Sequence, residues 1–547
     1  AMVNVPSVVE LTQANAVIAI MSSGLKVGAV SGVNHAVIPS GSVISQSPQG
    51  NTEIPRGGVV DLVVSTGLGG GVPPIIGLFQ EDAESAIVYA GLTIGTITIE
   101  IHPLFPFGSV ISHEPNENTQ LPLGSSVNLV ISAGSSATAR ISVADVAHGD
   151  MFWLAHEINA NGRYVAFESR NADLLPEGIE PVSNGDIFVH DRYTKNTSLI
   201  SVKSDGNRGS QASGSFNPDI SADGRYVVFE SYDFLAPEDT YVYGKNIYLH
   251  DRDSSKTSLV SISWTGTPHP SGYAKNPKIS ADGRYVVFES YAHDLVDNVS
   301  GNNIFVHDLS TRTTKLISVA MDGTPGNKSS VDPSISADGR YITFKSSASN
   351  LVPGEPQNSS YEGEVFLHDQ VTGETTLVSV SSNGVRSDGD SNNPEISADG
   401  RYIVFESRGS TNIEPGAKSG STDVYVHDRI TKSTTLVSVH IGERSVSDES
   451  YNPQISADGR YITFESRARD LTPGIEFPPG ASVFVRDQET GIILGVSVNI
   501  EGGPVASEKP HINADGKYIT FVSFASNLVP EDTNPDIGGI FVRYLGQ

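Results

Sequence analysis

The sequence predicts a mostly β fold built from one repeated four-stranded unit, and three observations lead to this prediction. A variant of Ile-Ser-Ala-Asp-Gly-Arg-Tyr occurs seven times at a spacing of 56 to 62 residues, which indicates one repeated supersecondary unit. Four short runs rich in β-branched and aromatic residues recur in each copy. The last copy lacks its fourth run. Together these features predict a seven-bladed β-propeller. The copies begin at Ile158, Ile220, Ile279, Ile335, Ile396, Ile455 and Ile512.

The order of elements within one repeat is clearest in the fifth copy. Its predicted strands lie at residues 393–397, 402–407, 423–428 and 434–439, and turn residues separate them. The Asp-Gly pair between the first two strands predicts a tight hairpin with a type I′ turn. In the first copy the pair is Asn161-Gly162, which serves that turn equally well. The motif is therefore interpreted as structural rather than catalytic.

The ends of the repeat region predict how the ring closes. The last copy stops after residues 539–543 without a fourth strand, and residues 139–143 form a strand-like run before the first copy. We expect this N-terminal strand to complete the last blade, because pairing removes open sheet edges that promote aggregation. Strand exchange between two chains, and hence self-association, is the related alternative.

Two shorter repeats of another kind precede the propeller, at residues 5–65 and 72–132. Between Thr12 and Ser23, the apolar residues Ala14, Ile18 and Met21 recur at helical spacing, and Gly24 stands where a helix would end. Each unit is therefore predicted to be one short helix packed on a small sheet.

The motifs of these two units recur in the same order. Each has Val-Pro near its start, then an Ala-Gly-Leu-type turn or a close variant, and then Gly-Ser-Val-Ile-Ser at residues 41–45 and 108–112. This pattern resembles the PASTA domain found outside the membrane on bacterial penicillin-binding proteins and Ser/Thr kinases. The resemblance implies two small α+β domains and recognition of peptidoglycan or muropeptides, with a spacer role as the alternative. The predicted boundaries are 1–67 and 68–135 for the PASTA domains and 136–547 for the propeller.

The propeller repeat has the core Ser-x-Asp-Gly, followed at a fixed distance by an aliphatic residue and Phe. Over roughly residues 139–547 it resembles the TolB-type, WD40-like (PD40) β-propeller repeat. Such repeats occur in binding proteins, in peptidase propeller domains and in a few lyases. The fold by itself therefore does not imply a function.

Composition excludes several classes of protein. The chain has no cysteine, so disulfides and thiolate metal sites are ruled out, and this fits an exported bacterial protein. Acidic residues outnumber basic ones 63 to 35, for a net charge of −28. Nucleic acid is therefore not an expected partner, because binding it needs cationic side chains that neutralise phosphates. Membrane insertion is not expected either, because no run approaches the roughly 20 apolar residues of a spanning helix.

Polar residues that recur in every repeat are predicted to be architectural, because catalysis needs different residues gathered in one place. His-Asp pairs end five third strands, and we expect them to form inter-strand hydrogen bonds. Glutamates on five second strands are expected to pair with a neighbouring Arg, and Lys345 and Val522 interrupt that series. The five pairs begin at His190, His250, His307, His368 and His427, and the glutamates are Glu168, Glu230, Glu289, Glu406 and Glu465.

Candidate metal ligands lie outside the repeated motif. Asp532, Asn534 and Asp536 place oxygen donors at alternate positions, which is typical of Ca²⁺ loops. No closing Glu follows and Pro535 interrupts the loop, so an ordinary solvated loop is the alternative. A metal-dependent polysaccharide lyase would use His269 and His293 as its best candidate ligands, although both could be exposed loop histidines.

Enzyme motifs are otherwise missing from the sequence. It contains no Gly-x-Ser-x-Gly elbow, no His-Glu-x-x-His and no P-loop. The links between strands two and three and between repeats are long and variable, and they must all open on one rim of the propeller. Because binding residues concentrate on variable loops held by a rigid scaffold, this long-loop rim is the predicted functional face.

The sequence therefore predicts a non-enzymatic, extracellular or cell-surface binding or scaffold protein of bacterial origin. Its PASTA modules either anchor the protein, with peptidoglycan as the candidate partner, or act as spacers. Its propeller recognises a protein or glycan. The alternatives are a structural subunit of a surface assembly or filament, and the lyase-like enzyme.

Overall fold

The computed structural model describes most of the chain: residues 2–33, 38, 41–65, 70–100, 108–132, 138–141, 155–176, 185–209, 214–237, 244–263, 273–297, 299–354, 363–408, 411–413, 421–440, 448–472, 475–529 and 538–545. The chain divides into two compact units, Ala1–Ser136 and Ala137–Gln547. Among the described residues, no helix has both the length and the apolar character needed to cross a membrane.

The first unit holds two copies of one α+β arrangement, in which a helix packs on a three-stranded sheet. The sheets have the strand orders β2-β5-β3 and β7-β10-β8, and the outer strands β2 and β7 run parallel to the central one. The first copy comprises β1 (Met2–Asn4), α1 (Gln13–Ser22), β2 (Lys26–Val33), β3 (Val43–Ser47), β4 (Glu53–Pro55) and β5 (Val59–Ser65). The second comprises β6 (Gly70–Gly71), α2 (Gln80–Tyr89), β7 (Thr93–Glu100), β8 (Val110–Glu114), β9 (Gln120–Leu121) and β10 (Ser126–Ser132).

The predicted helix exists, but Ala14, Ile18 and Met21, whose spacing predicted it, lie on its exposed side. Thr12 caps α1 by accepting a hydrogen bond from the backbone N–H of Asn15, and Gly24 follows it with a φ of 77°. The helix buries Ala16 and Ile20, whereas Ile18 and Met21 are 62% and 63% exposed. Nearly every residue of α1 is small or apolar, so two helical stripes were available in the sequence. Packing on the sheet selected between them.

The second unit contains four-stranded antiparallel sheets, seven of them among the described residues. We number them 1 to 7 in chain order. The strand that opens the unit is β11 (Thr138–Arg140), and it belongs to sheet 7. Sheet 1 comprises β12 (His156–Ile158), β13 (Tyr164–Ser169), β14 (Asp186–Asp191) and β15 (Asn196–Leu199). Sheet 2 comprises β16 (Ser215–Ile220), β17 (Tyr226–Ser231), β18 (Asn246–Asp251) and β19 (Lys256–Leu259). Sheet 3 comprises β20 (Ala274–Ile279), β21 (Tyr285–Ser290), β22 (Asn303–Asp308) and β23 (Thr313–Leu316).

The remaining sheets repeat this order. Sheet 4 comprises β24 (Ser330–Ile335), β25 (Tyr341–Ser346), β26 (Glu364–Asp369) and β27 (Glu374–Leu377). Sheet 5 comprises β28 (Asp390–Ile396), β29 (Tyr402–Arg408), β30 (Thr422–Asp428) and β31 (Ser433–Leu436). Sheet 6 comprises β32 (Ser450–Ile455), β33 (Tyr461–Ser466), β34 (Ser482–Asp487) and β35 (Ile493–Gly495). Sheet 7 comprises β36 (Glu508–Ile512), β37 (Tyr518–Ser523), β38 (Gly539–Tyr544) and β11.

The sheets form a closed ring around their first strands. Each first strand contacts the first strand of the next sheet, and β36 of sheet 7 contacts β12 of sheet 1. The predicted closing strand is confirmed. β11 pairs antiparallel with β38, and the backbone N–H of Ile141 donates to the carbonyl of Ile540 at 2.8 Å. Residues 142–143 of the predicted strand lie outside the described residues.

The Asp-Gly hairpin turns differ from the predicted type. In sheet 2 the N–H of Gly224 donates to the carbonyl of Ser221, and only Gly224 has a positive φ, at 77°. A type I′ turn needs positive φ at both central residues, so that prediction was wrong. The turn is instead of type I followed by a left-handed glycine. A Cβ at Gly224 would lie 2.2 Å from the ring of Tyr164 in sheet 1, so glycine is required for packing between sheets as well.

Candidate functional site in the central channel

The repeated His-Asp pairs are structural, as predicted. In sheet 2, His250 Nδ1 lies 2.9 Å from the hydroxyl of Thr257 on the fourth strand, and that hydroxyl donates to the carbonyl of Val202 in sheet 1. Asp251 accepts two hydrogen bonds from the guanidinium of Arg225 at 2.8 and 2.9 Å. Burial lowers the pKa of His250 to about 4, so the imidazole is neutral at neutral pH. These groups hold strands and sheets together.

The repeated glutamates are also structural, although four of the five pair with amides or lysines instead of the predicted arginine. Glu465 Oε1 accepts from the side-chain amide of Asn452 and from the backbone N–H of Lys509 in the next sheet, both at 2.7 Å. Glu230 pairs with Lys245 and accepts from the N–H of Asn276. The described partners are thus amides and lysines rather than arginines. The asparagines occupy this position because the first strands bulge there with a positive φ, which Asn tolerates.

The short-turn rim of the channel is bounded by a continuous belt of backbone hydrogen bonds. In each sheet the alanine of the Ser-Ala-Asp-Gly turn, or of its variant, donates its N–H to the carbonyl of the corresponding alanine in the next sheet. The seven bonds measure 3.0 to 3.3 Å and return to their starting point. The alanines are Ala160, Ala222, Ala281, Ala337, Ala398, Ala457 and Ala514. This rim offers nearly the same chemistry from every sheet.

The first strands nevertheless contribute one residue to the channel that differs in almost every sheet. It is the residue two positions before the Ser-Ala-Asp-Gly turn, immediately before that strand's last residue. Its neighbours in the strand are nearly the same in every repeat, so the architecture does not dictate its identity. The seven channel residues are Glu157, Asp219, Lys278, Ser334, Glu395, Gln454 and His511.

These channel residues form one polar network. Lys278 Nζ lies 2.5 Å from Glu157 Oε1 and 3.7 Å from Glu395 Oε1. His511 Nδ1 lies 2.9 Å from the second oxygen of Glu157. The hydroxyl of Ser334 donates to Glu395 at 2.6 Å. Lys278 thus bridges two carboxylates at the base of the channel.

The pKa values of this network follow from burial and ion pairing. Burial alone would raise the pKa of Glu157, but His511 and Lys278 outweigh it and hold the pKa well below its usual range. Burial likewise opposes the charge of Lys278, yet Glu157, Glu395 and Asp219 raise its pKa above the ordinary value. Both groups are ionised at neutral pH. They form a charged floor across the channel.

A cavity of about 320 Å³ lies over this floor. Its walls come from the bulged segments of the first strands, where a proline follows the residue of positive φ in six sheets. Because each first strand enters the channel from the long-loop side and ends at the alanine belt, the cavity lies toward the long-loop side. His156 contributes to the wall, with its ring 4.7 Å from that of His511.

The described lining of the cavity includes none of the metal ligands predicted from sequence. Asp532, Asn534 and Asp536 lie outside the described residues, as does His269. His293 is exposed and is not part of the cavity wall. Within the described parts of the chain, no group of three or more His, Asp or Glu side chains is arranged to hold a metal ion. The Ca²⁺ site stays a prediction.

Sequence reasoning missed the channel residues. Glu157, Lys278 and His511 lie in the repeat itself, whereas the sequence predicts binding residues on the long loops. A signal was available, because one position of an otherwise uniform strand varies from repeat to repeat.

Comparison with known proteins identifies the N-terminal unit. The PASTA domain family model matches residues 3–66 and 71–133. A probable serine/threonine-protein kinase of Clostridium acetobutylicum is 32% identical over 133 residues, which are 24% of this chain and 20% of the kinase. The match covers the PASTA region only, and the chain spans about a fifth of that relative's length.

Two solved structures resemble the propeller in fold. Oligogalacturonate lyase from Vibrio parahaemolyticus has a TM-score of 0.44 and 10% identity, covering 75% of this chain and 93% of the lyase. TolB from Acinetobacter baumannii has a TM-score of 0.33 and 15% identity, covering 70% of this chain and 81% of TolB. The PASTA pair supports a binding role at the cell surface or in the periplasm. This chain therefore carries two PASTA domains followed by a β-propeller of four-stranded sheets.

Proposed function

We propose that this protein is a non-enzymatic binding or scaffold protein of the bacterial cell surface. Its PASTA pair attaches it to peptidoglycan or spaces it from the wall, and its propeller binds a protein or glycan on the long-loop side. The difference between the two rims carries this proposal. The alanine belt repeats the same backbone groups around one rim, whereas selective recognition needs the varied residues that the other side offers.

The channel floor supports binding rather than catalysis. Lys278 and Glu157, the two groups that are ionised at neutral pH, are paired with each other, and Glu395 also lies near Lys278. Proton transfer by a group paired in this way costs free energy, because its partner would be left buried and unpaired. The floor therefore serves as a rigid base for the propeller.

Fragments that follow the two compact units test the proposal. Fragment 1–136 is expected to co-sediment with purified peptidoglycan, and fragment 137–547 is expected to stay in solution. Retention of neither fragment would leave the PASTA pair as a spacer. A concentration-dependent oligomer of fragment 137–547 in sedimentation velocity would favour the structural-subunit alternative.

One observation favours an enzyme as a second candidate. His156, His511 and Glu157 meet in one cavity, and a convergent histidine and carboxylate cluster is what a lyase would need. Incubation of the full chain with polygalacturonate, with and without Mn²⁺, would release unsaturated uronate that absorbs in the ultraviolet. Release that a His511→Ala variant abolishes would replace the non-enzymatic proposal.

A further inference from the structure

Three aromatic side chains contact one another in series on the long-loop side of sheets 2 and 3, and a fourth aromatic residue is joined to the last of them by a backbone hydrogen bond. Phe216 lies near the start of β16, Tyr232 directly follows β17, Tyr273 directly precedes β20, and Tyr291 directly follows β21. We call this group the aromatic shelf. The ring centroids of Phe216 and Tyr232 are 6.3 Å apart, and those of Tyr232 and Tyr273 are also 6.3 Å apart. The shelf therefore bridges two sheets.

The two outer rings of the shelf are exposed, and a backbone hydrogen bond holds their residues side by side. Tyr273 and Tyr291 are 52% and 53% exposed, whereas Phe216 and Tyr232 are half-buried beneath them. The backbone N–H of Tyr291 donates to the carbonyl of Tyr273 at 3.2 Å, which fixes the two residues beside each other. Exposed rings held by regular strands lose little entropy when they bind a ligand.

Folding does not require an aromatic side chain at these positions in every sheet, although sheet 6 has Tyr451 and sheet 7 has Phe524 at one of them. The aromatic residues of the propeller core stack in pairs between second and third strands, as Phe288 and Phe305 do in sheet 3. In sheets 4 and 5, the positions equivalent to the shelf carry mainly small or polar residues, and those sheets form with the same register. These equivalents are Ser329, Val331 and Ser347 in sheet 4, and Asp390, Asn392 and Arg408 in sheet 5.

The charges around the shelf are neutralised locally. Lys245 Nζ lies 5.1 Å from the ring centroid of Phe216 and 5.4 Å from that of Tyr232, and it is paired with Glu230. Lys275 Nζ lies 3.0 Å from Glu289. No cation of the shelf lacks a carboxylate partner, and the whole chain carries a net charge of −28. An acidic ligand would therefore be repelled rather than attracted.

The arrangement of the rings suits a sugar better than an apolar protein segment. Neighbouring rings of the shelf lie nearly perpendicular, at 87° and 82°, so they present separate faces instead of one continuous apolar groove. A pyranose has one flat face of C–H groups that stacks on a single ring, and equatorial hydroxyls that bond to groups at the ring edge. Tyrosine supplies both an apolar face and a hydroxyl.

We propose that the aromatic shelf formed by Phe216, Tyr232, Tyr273 and Tyr291 binds a neutral or N-acetylated glycan, by stacking pyranose rings on Tyr273 and Tyr291. The inference rests on the proposed function in that it identifies where the propeller binds and what class of ligand it takes there. It requires no catalytic step and no metal.

The test uses the full-length chain on a printed array of neutral, N-acetylated and uronic-acid oligosaccharides. Wild type is expected to bind neutral or N-acetylated members and to bind the acidic ones more weakly. Substitution Tyr273→Ala or Tyr291→Ala should weaken binding of the best ligand about tenfold in calorimetric titration. Tyr273→Phe should keep most of the affinity, because it keeps the ring. Both alanine variants should melt at the wild-type temperature, because the rings are exposed.

Tyr89 supplies the matched control, because this tyrosine of α2 is 96% exposed and lies in the other unit. Tyr89→Ala should bind the array as wild type does. An array without neutral or N-acetylated binders, or a Tyr273→Ala/Tyr291→Ala double variant with wild-type affinity, would overturn the inference. Binding of the acidic members alone would also overturn it. The co-sedimentation of fragment 1–136 with peptidoglycan is measured separately, so that the failure of one proposal leaves the other standing.

Discussion

Lys278 and Glu157 form an ion pair across the central channel, with Nζ 2.5 Å from Oε1, although they belong to sheets 3 and 1. The same ammonium lies 3.7 Å from Glu395 of sheet 5. One cation therefore connects three sheets that are not neighbours in the ring. The backbone hydrogen bonds of the alanine belt, in contrast, join adjacent sheets.

Replacing Lys278 should destabilise the propeller strongly. Lys278→Met leaves Glu395 without its cation and Glu157 with His511 alone in a partly buried site, so the loss should approach, and not exceed, the cost of a broken buried ion pair, about 3–5 kcal/mol. The free energy of unfolding from denaturant titration measures this loss. The double variant Lys278→Met/Glu157→Gln should regain part of it, because one orphaned charge is removed. A double variant as unstable as the sum of its single variants would contradict the pairing.

The contact between sheets 5 and 6 should depend on a matched pair of residues. Where sheets 1 to 5 have His and Thr, sheet 6 has Arg486 and Ile493, and the guanidinium of Arg486 donates to the carbonyls of Leu436 and Val437 at 2.9 Å. Arg486→His should cost about 2 kcal/mol, because the imidazole alone does not reach the neighbouring sheet.

The double variant Arg486→His/Ile493→Thr should regain most of that stability by installing the His-Thr pair of sheets 2, 4 and 5. Chemical denaturation of the three proteins compares them directly. If adding Ile493→Thr lowers stability further, the two arrangements are not equivalent.

Stability should depend on pH through Glu465, whose burial raises its pKa to about 7. The unfolded group titrates near its ordinary value of 4.5, so the folded state holds the proton more tightly. The contribution of Glu465 is therefore complete below pH 4.5 and is lost as pH rises through 7.

Glu465→Gln removes this dependence while keeping an acceptor for Asn452 and Lys509. Relative to wild type, the variant should gain up to about 3 kcal/mol between pH 4.5 and 7.5. Neutral histidines such as His250, with a pKa of about 4, make the folded protein more stable as pH rises. The measurement is therefore the difference in stability between the variant and wild type at each pH. The exposed Glu501→Gln serves as control. A difference that stays constant with pH would refute the assignment.

Ring closure should depend on β11 and not on the PASTA unit. A chain lacking residues 1–136 keeps the strand that pairs with β38 and should melt like the propeller of the full chain. A chain lacking residues 1–145 exposes the edge of β38 and loses the bond from Arg543 to the Thr138 hydroxyl, so it should aggregate and melt lower. Differential scanning calorimetry and light scattering distinguish the two. Identical behaviour would exclude closure by β11.

Sequence by itself determined the architecture of this protein, because its signals are local and repeated. The Asp-Gly turns, the alternating runs around Tyr402 and the missing fourth strand of the last repeat needed no knowledge of distant contacts. The PASTA units and the closing strand followed in the same way. Even the structural role of His250 and its equivalents could be inferred, because a residue that recurs in five of seven repeats is unlike a catalytic residue, which is needed in one place only.

Only the tertiary structure decided which side chains meet. Lys278 and Glu157 are far apart in the chain, and their ion pair exists because ring closure points both toward one axis. The buried face of α1 was open in the sequence until packing on the sheet chose Ala16 and Ile20. The aromatic shelf likewise needed two neighbouring sheets to bring Tyr232 against Tyr273. Local periodicity specifies strands and turns, whereas channels and surface clusters depend on the long-range geometry of the closed ring.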